Sequence, residues 1–306
     1  MAADIKARAP ARQLGKEMWA NREKYLMMAP FFLLFAMFTV VPVISAIVLS
    51  FTNFNTLEAP SFVGLANYIR LFLEDSVFII SIKNTLVFAL VTGPVSFLLC
   101  FIIAWFINEL SVKGRTFMTF LFYAPVLSGN LYIMWAAVFS NDIYGWANSL
   151  LIQLGIIYEP ISWLIDPRYM LGVIIIAQLW MSLGVSFLAF IAGLQNVDRN
   201  LYEAAAIDGV RNRWQELFYV TLPSMGPQLL FGAVIQISAS FAVGNIVINL
   251  AGFPSTDYAA DTIVTHAMDY GYLRFEMGYA CAIATILFIS MLVVNKMIRN
   301  ILKKYI

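Results

Sequence analysis

Charge divides this chain into a few long stretches that carry none. Between successive Lys, Arg, Asp or Glu residues, six gaps stand out, at 25–57, 84–108, 116–141, 169–197, 217–256 and 277–295. A helix needs about 20 apolar residues to cross a hydrocarbon core about 30 Å thick, so each gap has room for one crossing. The balance of residues agrees, with 61% hydrophobic and only 12% charged, where a globular domain has about a quarter charged. An all-α membrane protein is predicted, with six transmembrane helices near 26–51, 84–107, 117–139, 170–192, 228–250 and 278–297. The apolar run 143–158 contains Gly145, Asn148, Gln153 and Gly155, which fits an interfacial or re-entrant segment better than a span.

Basic residues near span ends are retained on the cytoplasmic side. With the N-terminus inside, fifteen Lys and Arg fall on that side and only Arg70, Lys83, Arg168 and Arg274 on the other. Both termini are therefore expected to be cytoplasmic. Ten of the eighteen acidic residues lie outside. Those acidic outer loops suit either a soluble partner or plain solvation.

Basic residues ahead of the first apolar run look like a signal peptide, but the run is too long and lacks a small-residue cleavage pattern. Residues 1–24 are read as a cytoplasmic tail and 25–306 as one transmembrane domain. Cys100 and Cys281 both fall inside expected spans, where they are ordinary small apolar residues and not a disulfide framework.

What the spans lack limits the chemistry. Ion-coupled carriers usually place an ionisable residue within the bilayer, and none of the six spans has one at its centre. One histidine, His266, and two separated cysteines cannot supply familiar metal spacings. No serine with an intramembrane base and no Gly-rich phosphate loop is evident. The chain is expected to be non-catalytic, to bind no metal, cofactor or nucleic acid, and to draw any energy from a partner.

"LYEAAAIDGVRNRWQELFYVTLP", residues 201–223, is an amphipathic interruption between the fourth and fifth spans, cytoplasmic by the charge count. Residues 201–207 are helix formers, Asn200 offers an N-cap, and Glu203 sits in the first turn, where an anion favours the helix dipole. Gly209 should end this helix, and a second is expected over 211–219, before Pro223. Ala204, Ala205 and Ala206 present almost no side-chain bulk, so a partner's groove could approach the backbone closely, with Glu203 and Asp208 at the rim. The alternative is a connector resting on the bilayer.

Glu203-Ala204-Ala205, then Asp208-Gly209, Phe218, Leu222-Pro223 and Pro227 resemble the EAA signature of permease subunits in binding-protein-dependent ABC importers. "APFFLLFAMFTVVPVISAIVLSFTNFN", "FVGLANYIRLF", "NTLVFALVTGPVSFLLCFIIAW" and "GRTFMTFLFYAPVLSGNLYIMWAAVF" are similar to the first spans of the carbohydrate-uptake branch, of the maltose and glycerol-phosphate type. The resemblance covers nearly the whole chain from about Tyr25. One departure is Val210, where family members often have Ala.

The resemblance implies a type I importer architecture in a bacterial cell membrane. A solute-binding protein delivers a sugar to the outer face of two permease subunits, this one and a second, related one paired with it. Two ATPase subunits, which use ATP and Mg, close beneath them. Glu203, Ala204, Ala205, Asp208 and Gly209, within the loop 196–226, would form the coupling helix seated on one ATPase.

For the translocation path, the fifth span carries Gln236, Ser238, Ser240, Phe241, Asn245 and Asn249. On one continuous helix, Ser238, Asn245 and Asn249 would share a stripe, and Gln236 and Ser240 another. Amides in a lipid-embedded helix need a partner or water, so this cluster marks an inner face: either pore lining or interhelical bonding. Gln178, Trp180, Gly184 and Phe187 of the fourth span are further candidates. The outer stretch 251–278 is either a surface for the binding protein or an ordered cap, with His266 packed or on the surface. A phosphorylated cargo favours a cation near its path; the spans have none, which points to a neutral sugar, an oligosaccharide before others. A stand-alone carrier or channel, or a membrane scaffold, would leave the EAA-like stretch unexplained.

Overall fold

A computed structural model describes residues 20–129 and 131–305. Most of the expected tail, 1–19, lies outside the described residues. Among the described residues, four helices are long and apolar enough to cross a membrane, and the number reaches six if each of two bent pairs makes one span.

Helix α1, Arg22–Leu49, has the highest hydropathy of the four, and none of its most apolar window is buried within the subunit. A five-residue π turn, Ala36–Val40, precedes Pro42. Proline has no N–H to return to the carbonyl one turn back, and the wider turn lets the hydrogen-bond ladder skip that position. Helix α2 is Ala66–Leu73.

Helix α3, Ser76–Asn108, begins earlier than the predicted 84 because Asp75 caps it, accepting from the Phe78 amide at 3.0 Å. Lys83, expected in a loop, is therefore helical. The predicted third span, 117–139, is instead two helices, α4 (Val112–Ser128) and α5 (Tyr132–Val138). Gly129 ends α4 at φ +65°. The run 143–158 holds one short helix, α6, Trp146–Gln153. Its Asn148 is fully buried and bonds the carbonyls of Ser140, Asp142 and Ile161.

The fourth span bends at Ser182–Gly184 between α7 (Pro167–Met181) and α8 (Val185–Gln195). Two shorter helices follow, α9 (Arg199–Ile207) and α10 (Arg213–Ser224), the latter with a π turn at Leu217–Thr221. Helix α10 meets α11 (Gly226–Phe241) at 83°.

The predicted fifth span, 228–250, is not continuous: α11 stops at Phe241 and α12 (Asn245–Ala251) starts after a break. The cause is distant in sequence. A Cβ at Gly244 would lie 2.6 Å from Val264 Cγ1, and the Thr262 hydroxyl donates to the freed Val243 carbonyl at 2.6 Å. Helix α13 (Ile263–Met268) leads through a π turn to α14 (Met277–Tyr305).

Helices α3, α8 and α11 pack together as the centre of the bundle. Phe101, Phe187, Phe190 and Leu229 belong to the core at one end of these helices. Phe88, Ile174 and Val247 belong to that near the other. A Cβ on Gly232 would overlap the Phe190 ring, 2.5 Å from Cε1, so the close contact of α8 with α11 requires glycine there.

Candidate functional site

Helix α9 is built for rigidity by its two ends. At the first, the carboxylate of Asp198, and not Asn200 as expected, accepts from the amide of Asn200 at 3.0 Å. Asn200 is already inside the first turn, so its side chain cannot serve as the cap. At the other end the Gly209 amide bonds the Ala206 carbonyl and the Val210 amide bonds the Ala205 carbonyl, with Gly209 at φ +93°. This reciprocal pair satisfies carbonyls that a simple helix end leaves open.

Ala205 faces inward, while Glu203, Ala204, Ala206, Ile207, Asp208 and Gly209 are exposed. Ile207 is 87% exposed, an apolar side chain standing next to the small, flat alanine surface. The Tyr202 hydroxyl lies 2.9 Å from that of Thr221 and ties the back of α9 to α10.

The second helix starts at Arg213, capped by Asn212, and runs through Pro223 instead of stopping before it. The preceding π turn allows this, as ahead of Pro42. Arg213 bridges Glu216 at 2.7 Å and Glu109 at 3.0 Å, and Trp214 packs on Trp105 with ring centres 5.1 Å apart. The last turn of α3 is thereby joined to the α9–α10 loop.

The polar residues of the helices separate by environment. Gln236 is buried, donating to Cys100 Sγ at 3.0 Å and to the Ser182 carbonyl at 3.1 Å, which at the α7–α8 bend also accepts from the Gly184 amide at 2.8 Å. Ser240 is buried against Gly93, and Phe241 packs with Ala89, Ala233 and Ile237. Phe187 is fully buried. Ser238 is half-buried and accepts from Asn295 at 3.2 Å. Gln178 and Gly184 are half-buried, while Trp180, Asn245 and Asn249 are exposed. Because of the break at 242–244, Asn245 and Asn249 share no helical stripe with Ser238.

Sequence reasoning missed an aromatic ladder beside Trp180. Trp180 meets Trp135 edge-on at 5.7 Å, and contacts continue through Phe139 and Trp163 to Tyr169. Trp135 Nε1 is buried there without a hydrogen-bond partner. Three tryptophans, Trp135 and Trp180 within the predicted third and fourth spans and Trp163 between them, were the available signal.

At the opposite end from α9, His266 is packed, its Nε2 2.9 Å from the Asp75 carboxylate, which also accepts from Tyr279 at 2.7 Å. Burial pushes the Asp75 carboxyl up, but the Tyr279 hydroxyl, the Phe78 amide and His266 together hold it below its ordinary range. Arg70 bonds Glu276 and lies over the Tyr279 ring at 4.3 Å. Among the described residues, no group of three or more His, Cys, Asp or Glu is arranged to hold a metal ion.

No protein-family model matches the chain. It is 34% identical over 275 residues to the probable ABC transporter permease protein YesP of Bacillus subtilis (strain 168), covering 88% of this chain and 86% of that protein. It is 32% identical over 273 residues to the arabinooligosaccharides transport system permease protein AraP of the same organism, covering 89% and 85%. Among solved structures it resembles a chain of a bacterial alginate ABC transporter in complex with an alginate pentasaccharide-bound periplasmic protein. That match has a TM-score of 0.73 and 25% identity, covering 93% of this chain and 95% of that one.

Proposed function

This chain belongs to the permease proteins of carbohydrate ABC transporters, and on that premise we propose that it forms half of the translocation pathway of an ATP-driven oligosaccharide importer. In this reading it crosses a bacterial inner membrane six times, with both termini and α9 in the cytoplasm. It pairs with a second, related permease and two ATPase subunits, and a solute-binding protein approaches from outside. An oligosaccharide cargo is supported by relatives whose names specify arabinooligosaccharides and alginate. The lack of Lys or Arg at the centre of the apolar stretches favours a neutral one over an acidic cargo of the alginate kind.

The observation that carries the coupling role is α9 itself: a capped, Gly209-terminated helix whose exposed side is Glu203, Ala204, Ile207 and Asp208. A stiff element tied to the body through Tyr202 and Arg213 transmits rigid-body motion of an ATPase into the bundle. Ala205 supports the helix from within. For the path, the exposed Asn245, Asn249 and Trp180 are assigned to the sugar, since amides satisfy hydroxyls and indole faces cover C–H surfaces. The half-buried Gln178, Ser238 and Gly184 are assigned to the same path, while Gln236, Ser240, Phe241 and Phe187 hold the helices that carry it.

The test is co-purification with the candidate partners, followed by ATPase and uptake assays in liposomes. Wild type should bring down the ATPase and second permease, and Gly209→Pro should insert but lose the ATPase. Uptake by the purified chain alone, down a gradient and without ATPase, would replace this reading with a stand-alone carrier.

A further inference from the structure

Three apolar helices, α3, α4 and α8, end around one polar cavity that the amphipathic α10 closes. The ends of α3 and α8 and the beginnings of α4 and α10 enclose about 420 Å³ next to the base of α9. Since α3, α4 and α8 are the hydrophobic segments, the cavity lies where hydrocarbon gives way to headgroups. Five of its lining residues are charged: Glu109, Arg115, Arg199, Arg213 and Glu216. Arg213 engages both glutamates. Arg115 donates only to backbone carbonyls, of Asn108 and Leu110, and Arg199 has no acidic partner among the described residues. Two buried polar atoms of the lining residues have no partner, Arg115 Nε, a donor, and Asn108 Oδ1, an acceptor.

A second hollow of about 450 Å³ shares Arg115 and Gln195 with the first and continues between α4 and α8. Phe120, Tyr123, Leu188 and Ile191 line it together with Thr116 and Thr119, so it is largely apolar and directed into the span. A headgroup-sized polar chamber holding two arginines without a carboxylate partner among the described residues, Arg115 and Arg199, therefore adjoins an acyl-sized groove that shares Arg115 and Gln195 with it.

We propose that the two hollows together bind one anionic glycerophospholipid. Its phosphate would sit on Arg115 and Arg199, a headgroup hydroxyl would donate to Asn108, and an acyl chain would lie between α4 and α8. The ligand needs acceptor oxygens for Arg115 Nε and a donor for Asn108 Oδ1, and a phosphodiester carrying a glycerol headgroup supplies both. Charge-assisted bonds from arginine to phosphate are the strong ones in such a site. Because Arg199 opens α9, the bound headgroup would anchor α9 to α4.

The experiment is native mass spectrometry of the full-length chain in detergent, with phosphatidylglycerol, phosphatidylethanolamine of the same chains, or inorganic phosphate. Phosphatidylglycerol should be retained over phosphatidylethanolamine, with each arginine contributing about fivefold. Arg115→Gln with Arg199→Gln should abolish that preference while Thr119→Trp, which fills the apolar groove, should weaken both lipids with the arginines intact. Equal retention of the two lipids overturns the proposal. So does an unchanged preference in a folded double variant, or displacement of the lipid by inorganic phosphate, which would leave a free-anion site. If the double variant does not fold, the Thr119→Trp result decides: undiminished lipid retention overturns the proposal.

Discussion

The hydroxyls of Tyr202 and Thr221 meet at 2.9 Å across a gap of 19 residues, so the back of α9 is fixed to the helix that turns into α11. Thr221 also donates to the Glu216 carbonyl at 3.3 Å and would keep a partner if Tyr202 lost its hydroxyl. Tyr202→Phe is therefore expected to cost only about 1 kcal/mol of stability. Its larger effect should be on transmission: transport per ATP hydrolysed should fall in reconstituted importer. An unchanged ratio would show that this bond only braces the loop.

Gly209 is at φ +93°, and a Cβ there would meet nothing within 4 Å. The cost of Gly209→Ala is then a backbone cost, about 1–2 kcal/mol of local stability, with no steric part. Amide hydrogen exchange at Ala206–Val210 should accelerate by about tenfold while the core helices are unaffected. Gly209→Asn should be milder, because asparagine tolerates the left-handed region better than alanine. Equal protection in all three proteins would remove Gly209 as the determinant of the helix end.

Gly232 presents the opposite situation, with an ordinary helical backbone and the Phe190 ring where its Cβ would be. Gly232→Ala overpacks the α8–α11 contact and should cost about 1–3 kcal/mol. Phe190→Leu alone leaves a gap, yet combined with Gly232→Ala it should restore part of the loss. The two changes are coupled, so a thermal-melting cycle in detergent that came out additive would contradict this packing.

Hydropathy made the long helices legible, because α1, α3 and α14 each bury or solvate an uninterrupted apolar run. It could not show that the run 228–250 breaks at 242–244, since the causes are Val264 and Thr262, which are remote in sequence. Gln236 was readable as an amide needing a partner, but its acceptor is Ser182 O, at a bend in another span. At α9 the error was smaller: Asp198 and Asn200 are both capping residues, two positions apart, and only the backbone decides between them. The helix over 199–207 and its end at Gly209 needed no tertiary information, because helix formers followed by a glycine state both locally.

The cluster around Asp75 sets an acid limit on the fold. Its carboxylate accepts from Tyr279 and the Phe78 amide and faces His266, and although burial opposes ionisation, the net effect is a value below the usual 3.8. Arg70, paired with Glu276, lies over the rings of both Tyr270 and Tyr279. A carboxyl more acidic folded than unfolded contributes stability that is present above 3.8 and is lost as pH falls through the folded value. Asp261 acts in the other direction: burial raises it, the Ser255 bonds oppose that only in part, and its protonation favours the fold as pH falls through the raised value. Melting of wild type should drop as pH is lowered below about 4, with the drop flattened in Asp75→Asn, whereas Asp261→Asn should differ above that range, losing the stability that wild type gains as pH falls from the raised value of Asp261 towards 3.8. At neutral pH Asp75→Asn should also cost about 1–3 kcal/mol, because Tyr279 and Phe78 lose a charged acceptor. If the acid limb of Asp75→Asn runs parallel to that of wild type, the limit is set by other carboxylates.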